Sequence, residues 1–212
     1  MITRLLTEGG TIKTLWLIIF FAVLVWSGIN PKDSWTWLLE VAPAVLGVAV
    51  LGLTYQPFKL TPMLYTLILL HCVVLMVGGH YTYAEVPLFD GLFGSERNNY
   101  DKVGHFFQGF VPALIAREIL LRKAVVNGGK WLVFCVLCIA LALSAFYELI
   151  EWWVALASGE EAQAFLGTQG YVWDTQSDMA WALVGAITGL LLLSKLHDRQ
   201  LTQLACPETT TS

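Results

Sequence analysis

Apolar residues fall in six long blocks, roughly 13–29, 35–55, 60–84, 103–122, 130–155 and 178–195, with short polar stretches between them. A helix needs about 20 predominantly apolar residues to cross the hydrocarbon core of a bilayer. The pattern therefore predicts an all-α polytopic membrane protein, a bundle of six transmembrane helices. No internal repeat and no low-complexity linker divides the chain. One membrane domain over 1–212 is expected, with 196–212 as a disordered cytoplasmic tail. Arg4 and Lys13 precede the first block as they would in a signal peptide. Its apolar core is long, however, and no A-x-A cleavage site follows, so it reads as a retained anchor.

Composition agrees with the pattern. Of 212 residues 57% are hydrophobic and 13% charged, whereas a soluble domain carries about 25% charge. A water-facing surface of this size cannot be covered by so few charges. Net charge is −4 and there is no basic tract, which argues against nucleic acid as a partner. Cys72, Cys135 and Cys138 lie inside apolar blocks and Cys206 in the tail. Cys135 and Cys138 read as small buried hydrophobes, since a redox or zinc pair wants an accessible, electropositive setting.

Lysine and arginine orient the bundle. Arg4, Lys13, Lys59, Arg117, Arg122, Lys123, Lys130, Lys195 and Arg199 fall on one side, and only Lys32, Arg97 and Lys102 on the other. The positive-inside rule then predicts both termini in the cytoplasm of a bacterial inner membrane, with the connections near 30–34, 85–102 and 156–177 outside.

With the helices oriented in this way, the costly residues cluster. Glu40, His80, Glu85, Asp101, His105, Glu148, Glu151, Asp174 and Asp178 all lie at outer helix ends. The cytoplasmic ends are mostly basic, with Glu118 able to pair with Arg122 at i, i+4. Asp101 and His105 are four apart and share a helix face, which Gln108 and Pro112 extend. Glu148 and Glu151 share a face with Ser144. Asp174 and Asp178 are four apart, and Gly185 with Gly189 forms a small-residue pair suited to close helix contact. Carboxylates and imidazoles at such spacings on several helices are how bundles build metal sites. The expected ligands are His80, Asp101, His105, Glu148, Asp174 and Asp178. The donor types suit a divalent zinc, manganese or iron better than a thiolate knot. Glu151, then Glu148, are the expected general base or acid.

Other readings of the same residues stand beside this one. Asp101, Asp174 or Asp178 can cap helices, and Asp101 with Lys102 can form an interfacial ion pair. His71 reads as a packing histidine satisfied by a neighbour. Asp33, Asp90, Glu96, Glu160 and Glu161 read as solvated loop charges. The cluster as a whole can serve a metal-dependent enzyme acting on a membrane lipid or lipid-linked envelope precursor. It can equally bind a lipid headgroup or an ion without catalysis, contribute to transport, or form a structural polar network. Transport lacks the broken helices in two repeated halves that mark many carriers.

Longer strings carry a resemblance. Gly79-His80-Tyr81-Thr82-Tyr83, the run Asn99 to Phe110, Tyr147-Glu148-Leu149-Ile150-Glu151-Trp152 and Trp173 to Met179 together resemble the YjdF-like proteins, bacterial inner-membrane proteins of a domain-of-unknown-function family. Asp101-Lys102-x-x-His105-Phe106 is more loosely similar to VanZ-like membrane proteins, which are linked to glycopeptide resistance at the cell envelope. That pattern has Gln where Glu151 stands, Asn where Ala182 stands, and a one-residue shorter spacing between its two aspartates. The resemblance implies a membrane location and a polar cluster, and names no reaction.

Overall fold

The computed structural model describes residues 2–89, 98–158 and 172–205, with side chains from residue 10 onward. Asp90, Glu96, Glu160, Glu161 and Cys206 lie outside the described residues. The described chain is helical, with six helices: α1 (Ile2–Gly28), α2 (Ser34–Thr54), α3 (Pro62–His80), α4 (Tyr100–Arg122), α5 (Gly129–Ser158) and α6 (Asp174–Ala205). It is an all-α polytopic membrane protein.

Helix ends follow local chemistry. Asp33 caps α2, its carboxylate accepting a 2.6 Å bond from the Thr36 amide, which satisfies one of the orphan amides of the first turn. Pro62 opens α3 at a position where no amide donor is needed. Gly128 and Gly129 adopt φ of 95° and 67°, turning the chain into α5 through a region that only glycine enters without strain. Tyr81–Ala84, expected inside the third helix, form turns instead.

Five helices are long and apolar enough to span a membrane. Their exposed side chains, such as Leu53, Leu191 and Trp131, form a lipid-facing belt. The exception, α4, is 23 residues long and carries the polar stripe predicted for it. It is shielded by packing on α3, α5 and α6, most extensively on α6. Phe110, Val111 and Leu114 of α4 pack with Leu64 of α3, and Ala113 packs with Val136, Ala140 and Ala186 of α5 and α6. A separate cluster of Phe20, Val41, Ala44, Cys72 and Met76 joins α1, α2 and α3.

Small residues set the closest approach. A methyl group on Gly185 would lie 2.0 Å from the Phe106 carbonyl oxygen, and one on Gly189 3.3 Å from that of Phe110. The small-residue pair predicted on the last helix is thus the seam between α6 and α4.

The last helix does not stop at 195. The disordered tail expected over 196–212 is not found over 196–205, which continues α6 to Ala205. Cross-helix bonds hold this extension. His197 Nε2 lies 3.0 Å from Glu118, Arg117 donates to Asp198 at 2.7 Å, and Gln200 accepts from the Met63 amide at 3.0 Å.

Candidate functional site

The bundle has two chemically distinct ends. At one, α1, α3 and α5 finish while α2, α4 and α6 begin, and there the carboxylates gather. Asp101 and His105 project from one face of α4, as their spacing predicts. His105 is buried and stands at the centre. Its Nε2 lies 3.3 Å from Asp101 Oδ1 and 3.7 Å from Asp178 Oδ2. Its Nδ1 lies 3.0 Å from the Gln108 side-chain oxygen and 3.9 Å from Glu148 Oε1. Three helices therefore supply one focus: α4 gives Asp101, His105 and Gln108, α5 gives Glu148, and α6 gives Asp178.

The ring's two nitrogens have different surroundings. When Nδ1 donates to the Gln108 oxygen, Nε2 carries the lone pair and faces two carboxylates. A metal-binding histidine is commonly held in this way, its far nitrogen donating to an oxygen acceptor while the near one faces the ion. When both nitrogens are protonated, the imidazolium instead bridges the carboxylates. Asp101, His105 and Asp178 offer ligand atoms within 4.8 Å of one another. An ion at bond lengths of about 2.0–2.2 Å would draw them closer.

Glu148 strengthens the case for a cation. Both its oxygens and Asp178 Oδ1 are buried without a hydrogen bond, as is Ser144 Oγ one turn away. Buried carboxylate oxygens without partners are costly, and native sites offset them with protons, cations or ordered water.

The other expected residues divide. Asp174 is buried in the first turn of α6, one turn before Asp178. Glu151 and Glu40 line a cavity of about 250 Å³ together with Asp101 and His105. Across it Tyr147 donates to Glu40 at 3.3 Å. Among the described residues, no lysine or arginine lines this cavity. His80 stands elsewhere: its Nδ1 is 2.9 Å from the Ser27 carbonyl oxygen and its ring stacks on Trp26 at 4.8 Å. It ties α3 to α1 and stands apart from the His105 cluster. The turn that follows contains Tyr83, whose ring fills the space beside Gly78 and Gly104.

Two features exceed the sequence reading. His71 lines the same cavity; its ring stacks on Phe107 at 6.3 Å, while its Nε2 is buried with no hydrogen-bond partner. At the opposite end, Glu118 is fully buried. Besides Arg122 at 2.7 Å, it accepts from the Thr61 amide at 3.2 Å and hydroxyl at 2.9 Å, and meets His197. The i, i+4 spacing signalled Arg122. Nothing in the sequence signalled the partners from α3 and α6.

Outside the helices, Lys32 and Glu85 pair at 2.8 Å, both largely exposed. Hydrogen bonding to Glu85 raises the Lys32 ammonium above its usual range. The Thr36 amide holds the Asp33 carboxyl below its usual range.

No solved structure matches this chain. The protein "Inner membrane protein YjdF" of Escherichia coli (strain K12) is 56% identical over 182 residues, covering 84% of this chain and 87% of that protein. The family described as "Predicted membrane protein (DUF2238)" matches residues 12–199. Over that span, which takes in the whole His105 cluster and most of every helix, the chain belongs to this family of membrane proteins.

Proposed function

We propose that the acidic end of the bundle is a divalent-metal site of an enzyme that acts on a lipid or lipid-linked envelope precursor. The observation that carries this reading is the environment of His105. One ring nitrogen is bonded to an amide oxygen, the other faces Asp101 and Asp178, and the buried carboxylate of Glu148 lies 3.9 Å from the ring. Three carboxylates around one imidazole leave excess negative charge in a low-dielectric setting, which a divalent cation offsets.

Asp101, His105 and Asp178 hold the ion, with Glu148 in reach and Asp174 supporting from one turn away. A cation there would supply Lewis acidity, which lowers the pKa of a coordinated water towards ~7. Glu151, on the cavity wall, would serve as the general base or acid. Glu40, placed by its bond from Tyr147, shapes the opposite wall. The excess of lysine and arginine at the other end supports an outward-facing site. The relative's name, an inner membrane protein, supports the same membrane for this chain.

The test is metal content by mass spectrometry on purified protein, beside His105→Ala and Asp178→Ala. Near-stoichiometric metal in the wild type, lost in both variants, is expected. Lipid and lipid-phosphate hydrolysis is then assayed with that metal. A wild type that takes up no zinc, manganese or iron after reconstitution overturns the metal reading and leaves an imidazolium-bridged packing network. Metal without hydrolysis of any such lipid overturns the enzymatic one.

A further inference from the structure

The cavity beside His105 is more than the mouth of a metal site. Its lining reaches from Glu151 and Asp101 down to Leu143 and Pro112. At 1.5 Å per residue, eight residues along α5 and eleven along α4 place its floor roughly 12–16 Å below those carboxylates. That is about half of a 30 Å hydrocarbon core. The upper wall is acidic and phenolic. The lower wall is mostly apolar, with Pro43, Leu75, Pro112 and Leu143, and carries His71 as a polar group.

Two of its walls, α2 and α5, pack extensively on other helices rather than on each other. α2 packs on α3, while α5 packs on α4 and α6. The hydrogen bond from Tyr147 to Glu40 crosses between them near the acidic end. Below it, Leu143 and Phe146 line the cavity while remaining 45% and 51% exposed. A bilayer around the bundle meets this seam directly. A cavity graded from polar to apolar and open sideways at membrane depth fits an amphiphile that stays partly in the bilayer. At about 250 Å³ it falls just below the range of about 300–1,000 Å³ that encloses a whole drug-sized ligand. It therefore takes a headgroup and the start of one chain.

Two polar features narrow the class. The ionisable groups of the upper wall are Glu40, Asp101, His105 and Glu151 with the phenols Tyr83 and Tyr147 and, among the described residues, no lysine or arginine, so it offers carboxylate acceptors to a headgroup carrying an ammonium. Deeper, the buried Nε2 of His71 has no partner. In the Nε2–H tautomer that nitrogen is a donor, and an amphiphile with an acceptor below its head, such as an ester carbonyl, satisfies it. A polyprenyl chain offers none.

We infer that an ester-linked glycerolipid with an ammonium headgroup enters this cavity sideways between α2 and α5, with its head at Glu40 and Glu151 and its linkage at His71. This deepens the lipid-enzyme reading and rests on it for the chemistry, while the binding itself does not require the metal.

The experiment uses proteoliposomes containing phosphatidylethanolamine with a diazirine on one acyl chain, with crosslinks mapped by mass spectrometry. Phosphatidylglycerol and polyprenyl phosphate bearing the same diazirine run in parallel, each with and without EDTA. Adducts on Leu75 and Phe146 are expected, at least threefold stronger from the ethanolamine lipid than from either other probe. Leu143→Trp, at a half-exposed position that tolerates bulk, should cut the Leu75 adduct several-fold and leave adducts on the belt residue Leu53 unchanged. Equal labelling by phosphatidylglycerol, or stronger labelling by the polyprenyl probe, overturns the lipid class. Labelling confined to the belt, or unmoved by Leu143→Trp, overturns the cavity. Labelling in a protein that takes up no metal after reconstitution upholds this inference while the metal reading falls. A metal-loaded protein with an unlabelled cavity does the reverse.

Discussion

Gly109 of α4 and Ala182 of α6 approach so closely that a methyl group on Gly109 would lie 1.7 Å from the Ala182 carbonyl oxygen. This contact lies one turn inward from both His105 and Asp178. The distance between those two side chains is therefore set by how near the two backbones come, and that depends on the absence of a side chain at position 109.

Gly109→Ala should push α6 away from α4. Overpacking a filled interior costs about 1–3 kcal/mol and occasionally more, and backbone on both sides here leaves little room to yield. A lowered melting temperature in detergent and reduced metal retention are expected together. Gly189→Ala provides the contrast, since its nearest neighbour would be 3.3 Å away. It should shift melting much less. Equal shifts for the two variants would show that the seam does not position the site.

The two histidines at the acidic end separate the proposed metal ligand from a packing residue. His105→Ala removes the nitrogen that faces Asp101 and Asp178, and should abolish metal retention. His80→Ala removes a bond to the Ser27 carbonyl and a stack on Trp26. It should loosen α1 against α3, lower thermal stability and leave metal stoichiometry intact. Metal loss in His80→Ala without loss of folding would return His80 to the ligand set.

This contrast marks how far the sequence alone reaches. The six helices were legible because lipid demands long apolar runs, and the shared face of Asp101 and His105 because helical spacing fixes it. The Gly185 seam was legible for the same reason. Which helices face each other was not. His80 lies at the predicted end of α3, but the rotation of that helix is set by Gly78 against the Tyr83 ring and Gly79 against Val41, contacts that no local pattern announces. The run of α6 past Lys195 was hidden likewise. It is polar by composition, and Glu118, Arg117 and the Met63 amide hold it from other helices.

Asp33→Ala should cost about 1 kcal/mol, the usual value of a lost helix N-cap. Its dependence on pH has a definite sign. The Thr36 amide lowers the carboxyl pKa in the folded protein, so the unfolded state binds the proton more readily. The stabilisation is then complete above the unfolded value near 3.9 and fades as pH falls through the lower folded value. The gap in melting temperature between wild type and variant should be constant from pH 5 to 8 and close below about pH 4. A gap that widens on acidification would contradict the cap.

The end opposite the candidate site tests whether a buried ionic group can be purely structural. Glu118 accepts from the amide and hydroxyl of Thr61 at the start of α3, from Arg122 on its own helix, and lies 3.0 Å from His197 on α6. One fully buried carboxylate thus joins three helices. Removing one partner of a buried ion pair costs about 3–5 kcal/mol, because the remaining charge is left without compensation. Glu118→Ala should approach that range, while Glu118→Gln keeps an acceptor oxygen for Thr61 and should cost clearly less. Both variants should keep the metal and the lipid labelling near His105, because every group in this network lies at the far end of the bundle. A Gln variant as unstable as Ala would show that charge, rather than acceptance from Thr61, holds this end together. Loss of metal in a Gln variant that still melts cooperatively would show that the two ends are coupled along α4, which contributes His105 to one and Glu118 to the other.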